Sequence, residues 1–66
     1  MTIVVNGQRR DIVPDWTGMK LLEELDLSRE RIAVERNGEI MNQETFASCV
    51  LSAGDVIEIV RFVGGG

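Results

Sequence analysis

The chain has 66 residues, with 7 Lys and Arg against 11 Asp and Glu, a formal net charge of -4, no His and a single Cys. A chain of this length forms one domain that is too small for a deep, well-supported catalytic cleft, so we expect any chemistry to need an exposed group and a larger partner. The composition excludes a Cys/His zinc site, an internal disulfide and a His-based triad.

Charge and hydropathy narrow the class of partner. The chain is acidic, and Arg9-Arg10 is its only pair of adjacent basic residues, which predicts no nucleic-acid surface because phosphate contacts need clustered basic side chains. No apolar run approaches the ~20 residues that span a bilayer, and the first residues show no signal-peptide pattern. We therefore expect a cytoplasmic protein that does not associate with a membrane, binds no metal and has another protein as its partner.

Two antiparallel strands are predicted at the start of the chain. The β-branched residues Ile3 to Val5 lead into Asn6-Gly7, and this dipeptide favours a type I′ hairpin because both central residues need a positive φ. The return strand is predicted from Gln8 to Val13, where Pro14 ends it. Arg9-Arg10 are expected to protect an exposed sheet edge.

An amphipathic helix of roughly two to three turns is predicted from Thr17. Four apolar residues recur on one side and are expected in the core: Met19, Leu21, Leu22 and Leu25. Either Asp15 or Thr17 is suited to cap the first turn. Trp16 is interpreted as a lid over the core rather than an exposed partner anchor, since a small domain with three aromatic residues rarely leaves one unpacked.

Another hairpin and a long last strand are predicted in the second half of the chain. Ile32 to Arg36 runs into Asn37-Gly38 and returns through Glu39 to Met41, after which 42–48 is a loop or single helical turn that carries Phe46 inwards. Gly54-Asp55 marks a tight turn. The β-branched run from Val56 to Val63 then suits a central strand covered on one face.

This order of elements predicts an α+β fold of the β-grasp type, in which a mixed sheet of four to five strands packs on one main helix. The domain is expected to cover residues 1–63, followed by a flexible glycine tail at 64–66. Three glycines reach roughly 10 Å when extended, so the tail could enter a narrow channel and present the α-carboxylate of Gly66 to a partner. The alternative is a frayed chain end without a role.

The order of several short motifs resembles the ThiS family of thiamin-pathway sulfur carriers, within the ubiquitin-like β-grasp proteins. The resemblance spans nearly the whole chain and rests on these segments: Ile3-Val4-Val5-Asn6-Gly7, Leu21-Leu22-Glu23-Glu24-Leu25, Ala33-Val34-Glu35-Arg36-Asn37-Gly38-Glu39-Ile40, Gly54-Asp55-Val56-Ile57-Glu58-Ile59-Val60 and Val63-Gly64-Gly65-Gly66. Each motif is weak by itself, and the order and the spacing together are specific.

The resemblance implies a carrier and not an enzyme. A ThiF-type adenylyltransferase, using its own ATP and magnesium, would activate the carboxylate of Gly66, and a sulfur donor protein would convert the acyl adenylate to a thiocarboxylate. That sulfur would pass to a ThiG-type thiazole synthase. The chain itself would bind no cofactor and no metal. Arg61 and Phe62 lie next to the tail and are either docking residues for the activating enzyme or solvated residues of the strand face, and the expected partner-binding set also includes Val63, Gly64 and Gly65.

Other functions remain open from the residues alone. The same tail would serve the small subunit of molybdopterin synthase or another sulfur-transfer pathway, a non-covalent β-grasp interaction module would not use the tail at all, and a ubiquitin-like modifier would join it to lysines. Cys49, the single thiol, has no basic neighbour to activate it and is interpreted as a packed small side chain. Partner docking is expected on the exposed sheet face near the tail.

Overall fold

The computed structural model describes residues 1–63. Its elements, in chain order, are β1 (Thr2–Val5), β2 (Gln8–Asp11), α1 (Gly18–Glu24), β3 (Ile32–Arg36), β4 (Glu39–Met41), α2 (Gln43–Ser48) and β5 (Val56–Arg61). The five strands form one sheet in the order β2-β1-β5-β3-β4, in which β1 and β5 are parallel and the other neighbours antiparallel. The predicted α+β β-grasp fold with a mixed sheet is therefore confirmed, with five strands.

Both Asn-Gly dipeptides form the predicted hairpin turns. Asn6 and Gly7 have φ values of 49° and 80°, and Asn37 and Gly38 have 52° and 83°. These positive values match the twist of the flanking strands. Each turn joins an antiparallel pair, β1 with β2 and β3 with β4.

Strand β2 is shorter than predicted. It ends at Asp11 and not at Val13, because β1 starts at Thr2 and offers only Met1 beyond it. Ile12 still exchanges two hydrogen bonds with Met1, from its N–H to the Met1 carbonyl oxygen (2.7 Å) and from the Met1 amino group to its own carbonyl oxygen (2.8 Å). The whole of β2 is exposed at one edge of the sheet, so Arg9-Arg10 do occupy an edge strand.

Helix α1 begins at Gly18 because Thr17 caps it. The Thr17 hydroxyl oxygen accepts a hydrogen bond from the Lys20 N–H at 3.2 Å, whereas Asp15, the other candidate cap, lies in a turn with a φ of 76°. Leu21 and Leu22 are fully buried, as predicted.

Two residues of this helix that the sequence predicts in the core are less buried than predicted. Met19 is 40% exposed and Leu25 is half-buried at the C-cap. Leu21 and Leu22 define the centre of the buried side, and in a helix of 7 residues Met19 lies at the margin of that side. The apolar spacing identified the helix but overestimated how wide a stripe the sheet covers.

Of the two predicted forms of the segment after β4, a loop or a single helical turn, the structure shows the helical form. Asn42 caps α2 by accepting a hydrogen bond from the Thr45 N–H at 2.8 Å, and the helix runs for 6 residues. It carries Phe46 inwards, as predicted, to a position with no exposed surface. The mixed sheet therefore packs on α1, the predicted main helix, and α2 lies beside it as the predicted helical turn.

The core lies between the sheet and these two helices. It consists of Ile3, Val5, Ile12, Leu21, Leu22, Ile32, Val34, Phe46, Leu51, Ile57 and Ile59. Trp16 is half-buried and packs against this cluster, which agrees with its interpretation as a lid. Cys49 is also half-buried, at the end of α2. Among residues 1–63 no helix covers the opposite face of the sheet, and that face positions the candidate site.

Candidate functional site

Strand β5 is the element that leads to the glycine segment, and it occupies the centre of the sheet. It pairs in parallel with β1 and antiparallel with β3 over the whole of β3, from Ile32 opposite Arg61 to Arg36 opposite Ile57. The strand ends at Arg61 and not at Val63 as predicted. One further backbone bond follows, from the Phe62 N–H to the Arg31 carbonyl oxygen at 2.9 Å, and β3 offers no residue for Val63.

The start of β5 is anchored by a buried carboxylate. Asp55 is 5% exposed and accepts hydrogen bonds from the Ser52 N–H (2.8 Å) and the Asn37 side-chain amide (3.0 Å). It also forms an ion pair with Arg36, with an N–O distance of 2.8 Å. Burial alone would raise the pKa of Asp55, but the bonds from Asn37, Ser52 and Arg36 outweigh it and lower that pKa below its ordinary value of 3.8.

Two asparagines hold β5 from both sides. The Asn37 side-chain oxygen accepts a hydrogen bond from the Val56 N–H at 2.8 Å, and the Asn6 side chain bonds to the backbone of Ile59. Both residues were predicted only as turn formers. Their side chains tie the two hairpin turns to the central strand, so the strand that precedes the glycines is fixed along its length.

Alternation along β5 creates an open sheet face. Ile57 and Ile59 point into the core, while Val56, Glu58 and Val60 lie on the uncovered side. We call this uncovered side the open face. A shallow groove of about 140 Å³ on it is lined mainly by residues of β3, β4 and β5: Ala33, Val34, Glu35, Ile40, Glu58 and Val60. Ile40 is 81% exposed there, which makes the groove walls partly apolar.

The structure separates the predicted partner-binding residues. Arg61 lies opposite Ile32 in the register, on the helix-covered side of the sheet, and its side chain forms an exposed ion pair with Glu30 at 3.5 Å. Phe62 is 57% and Val63 is 88% exposed. Phe62 follows the last residue of β5, and continued alternation from Val60 would put it on the open face, away from Arg61.

The remaining predicted site residues lie outside the described part of the chain. Gly64, Gly65 and Gly66 fall after residue 63, so the attachment of sulfur at Gly66, the contacts of Gly64 and Gly65, and the flexible tail at 64–66 all stay predictions.

The sequence predicts partner docking on the sheet face near the tail, but it does not identify the residues that form the open face. Val60 and Glu58 could have been found, because they alternate with the apolar residues Ile57 and Ile59 in a predicted strand. Glu35 and Ile40 could not, since their place depends on which strands pair and in what register.

The other features of the described residues give weaker evidence for a functional site. A larger depression of about 490 Å³ lies between the helices, lined by Met19, Leu22, Asn42, Gln43, Glu44 and Ala47, and it is on the opposite side of the sheet from the open face. Within residues 1–63, no three His, Cys, Asp or Glu side chains group as metal ligands would. In the same range no helix is long and apolar enough to cross a membrane.

Comparison with known proteins gives relatives along the whole chain. A protein of Bacillus subtilis (strain 168) named sulfur carrier protein ThiS is 48% identical over 46 residues, which cover 70% of each chain. A thiazole synthase of Paramagnetospirillum magneticum is 41% identical over all 66 residues, and one of Magnetococcus marinus is 38% identical over the same length. The chain spans only 20% of the length of each thiazole synthase.

A solved structure shows the same architecture. The crystal structure of a thiamine biosynthesis protein (ThiS) from Geobacter metallireducens superimposes with a TM-score of 0.79 at 30% sequence identity, with full coverage of both chains. The sequence pattern of the ThiS family matches residues 3–66, a range that includes the glycine segment and, apart from Thr2 at the start of β1, every strand. The chain therefore belongs to the ThiS family.

Proposed function

We propose that the protein is a sulfur carrier of thiamin biosynthesis that works through the carboxylate of Gly66. The observation that carries this proposal is the family match, which continues from residue 3 through Gly66 and so includes the three glycines as well as the folded body. The Bacillus relative is named a sulfur carrier protein, which supports the same role. The protein acts in this scheme as a co-substrate and not as an enzyme.

The proposed chemistry has two steps at one carbonyl carbon. A Gly66 carboxylate oxygen attacks the α-phosphorus of ATP in a ThiF-type adenylyltransferase, and pyrophosphate leaves. Sulfide (HS⁻) released by a donor protein then attacks the acyl carbon, the bond from that carbon to the AMP oxygen breaks and AMP leaves, because AMP is a far better leaving group than an oxide. The product is a thiocarboxylate whose sulfur is passed on for thiazole formation. ATP and magnesium belong to the activating enzyme.

The described residues support different roles for the folded domain and the glycine segment. Side-chain bonds from Asn37 and Asn6 hold β5 at Val56 and Ile59, Asp55 holds Asn37 in place, and one more backbone bond follows the strand at Phe62. Gly64 to Gly66 have no side chains, so a channel too narrow for other residues would admit them. We propose residues 1–63 as the recognition domain and 64–66 as the segment that enters the partner's active site.

The open face is the proposed docking surface for the partners. Ile40 and Val60 are exposed apolar residues on it, and Phe62 extends it towards the glycines. Contiguous exposed apolar residues of this kind mark protein interaction sites. A ThiG-type thiazole synthase is proposed as the sulfur acceptor because two relatives that match this whole chain are thiazole synthases.

Activation is tested by ATP–pyrophosphate exchange. A ThiF-type adenylyltransferase is incubated with ATP, labelled pyrophosphate and either the full chain or a variant that lacks Gly65 and Gly66. We expect exchange that depends on the full chain and is absent with the shortened variant, while circular dichroism shows that both are folded. No exchange with the full chain, from an enzyme that is active on its own carrier, contradicts the proposed function.

A further inference from the structure

The side chain of Gln43 binds the backbone at the start of β3. Its amide oxygen accepts a hydrogen bond from the Ile32 N–H at 3.3 Å, and its amide nitrogen donates to the Glu30 carbonyl oxygen at 2.8 Å. Gln43 is half-buried and occupies the first position of α2. One side chain therefore holds the backbone on both sides of Arg31.

The register of the sheet explains why Gln43 reaches this backbone. Strands β3 and β4 are antiparallel and pair Val34 with Met41. Two residues further, Gln43 would lie opposite Ile32 if β4 continued, but the chain enters α2 there instead. Side chains of a helix lean towards its N-terminal end, so the Gln43 amide can take the place of the strand backbone that β4 no longer supplies.

The backbone held by Gln43 in turn binds the residue that follows β5. The Arg31 carbonyl oxygen accepts the hydrogen bond from the Phe62 N–H at 2.9 Å. The Glu30 carboxylate also pairs with Arg61, at 3.5 Å, but both side chains are exposed and such a pair contributes little to stability. The position of Phe62 therefore depends on the Arg31 carbonyl, and the position of that carbonyl depends on the bonds of Gln43.

We propose that Gln43 is a positioning residue for the activation of Gly66. Through the backbone of 30–32 it holds Phe62 on the folded domain, and the glycine segment begins two residues later. The inference rests on the proposed function, because it concerns how that segment reaches the adenylyltransferase. A residue that the free domain already holds loses little further conformational entropy when a partner binds. Gln43 thus lowers the carrier concentration that the enzyme needs, without contact to the reacting atoms.

The test compares Gln43→Met with a variant that loses a hydrogen bond elsewhere. Methionine resembles glutamine in length and helix propensity but has no amide. Thr17→Ala is the matched control, since it removes a bond within the first turn of α1, from the Lys20 N–H. NMR follows the hydrogen exchange of the Phe62 amide, and ATP–pyrophosphate exchange by a ThiF-type adenylyltransferase is measured over a range of carrier concentrations. Circular dichroism and urea unfolding establish that each variant is folded.

We expect the Phe62 amide of Gln43→Met to exchange about tenfold faster than in the unaltered chain. The KM for the carrier should rise about tenfold, because one more residue must be ordered on binding. The kcat should stay the same, since the reacting group at Gly66 is unaltered. Gln43→Glu, which keeps the acceptor oxygen and loses the donor N–H, should lie between. Thr17→Ala should change neither the Phe62 amide nor the KM, even where its unfolding midpoint falls equally far.

An unchanged exchange rate of the Phe62 amide in Gln43→Met overturns the inference. A KM that stays constant, or that rises equally in Thr17→Ala, overturns it as well, and so does a lower kcat at constant KM. If Gln43→Met does not fold, Gln43→Glu carries the same comparison. In each of these cases, activity of the unaltered chain leaves the proposed function standing. Absence of pyrophosphate exchange with the unaltered chain itself overturns the proposed function, and the inference with it.

Discussion

The side chain of Asn6 occupies the place of a backbone peptide beside Ile59. Its amide nitrogen donates to the Ile59 carbonyl oxygen at 3.1 Å, and its oxygen accepts from the Ile59 N–H at 2.7 Å. The two residues are 53 positions apart. Strand β1 turns away at this point, so the Asn6 amide completes the pairing of β5 where the parallel partner strand ends.

Asn6→Gly should destabilise the protein by about 1–2 kcal/mol, because glycine keeps the positive φ of the turn but leaves both Ile59 groups without their partner. Urea unfolding monitored by Trp16 fluorescence measures the change. Asp26→Gly is the matched control, since Asp26 also has a positive φ, 60°, and is exposed. Equal effects of the two substitutions would mean that Asn6 serves only as a turn residue.

Asp55→Asn should cost about 3 kcal/mol, because it removes the negative charge from a buried cluster and leaves the Arg36 guanidinium uncompensated. Denaturant unfolding at neutral pH is the measurement. Glu24→Gln breaks the exposed Lys20–Glu24 pair and provides the contrast, with an expected effect below about 0.5 kcal/mol. Similar losses from both variants would contradict the role assigned to Asp55.

The contribution of Asp55 should also depend on pH. The pKa of Asp55 in the folded protein is lowered from 3.8, so the folded state favours the charged form, and the stabilisation is complete above that ordinary value. It is lost as the pH falls through the lower folded pKa. The difference in unfolding free energy between the unaltered chain and Asp55→Asn should therefore be constant near neutral pH and shrink in acid. A difference that grows on acidification is the opposite sign and would refute the assignment.

Gly18→Ala should destabilise the packing of the two helices. A Cβ at this position would overlap the backbone carbonyl of Phe46, and backbone cannot rotate away as a side chain does. We expect a loss of about 2 kcal/mol or more, measured by thermal unfolding. Glu23→Ala, an exposed substitution in the same helix, should stay within about 0.5 kcal/mol. A stable Gly18→Ala protein would show that α1 and α2 can separate without cost.

Phe62→Ala should weaken binding to the adenylyltransferase about tenfold without changing the unfolding midpoint, because an exposed aromatic residue beside the glycine segment has the properties of an interface anchor. Val13→Ala is the control: Val13 is 62% exposed, close to the 57% of Phe62, but lies in the loop after β2. Calorimetric titration distinguishes them. Equal affinity of the Phe62→Ala and Val13→Ala variants would remove Phe62 from the site.

The elements that could be predicted were those with a local physical cause. Asn-Gly requires a particular turn wherever it occurs, and the β-branched run of β5 fits a central strand. The predicted ends of β2 and β5 lie further along the chain than the observed ends, because each strand stops where its neighbouring strand stops. The length of a neighbouring strand that is distant in the chain cannot be predicted from a single sequence.

The site was predictable only in part, for a related reason. Phe62 was identified because it adjoins the glycines, whereas the facing of Glu35 and Glu58 arises from the β3–β5 register. Likewise, the bonds of Asn6 to Ile59 and of Asn37 to Asp55 join residues that are far apart in the chain. Local propensity explains why each asparagine stands in its turn, but only the assembled sheet shows what its side chain binds.

The most direct test of the central claim is the intact mass of the chain after incubation with a ThiF-type adenylyltransferase, ATP and a sulfide source. The account predicts a mass increase equal to the replacement of one oxygen by one sulfur, located at Gly66 by fragmentation and absent from a variant lacking Gly65 and Gly66. An unchanged mass, with an enzyme shown to form the thiocarboxylate on its own carrier, would contradict the account.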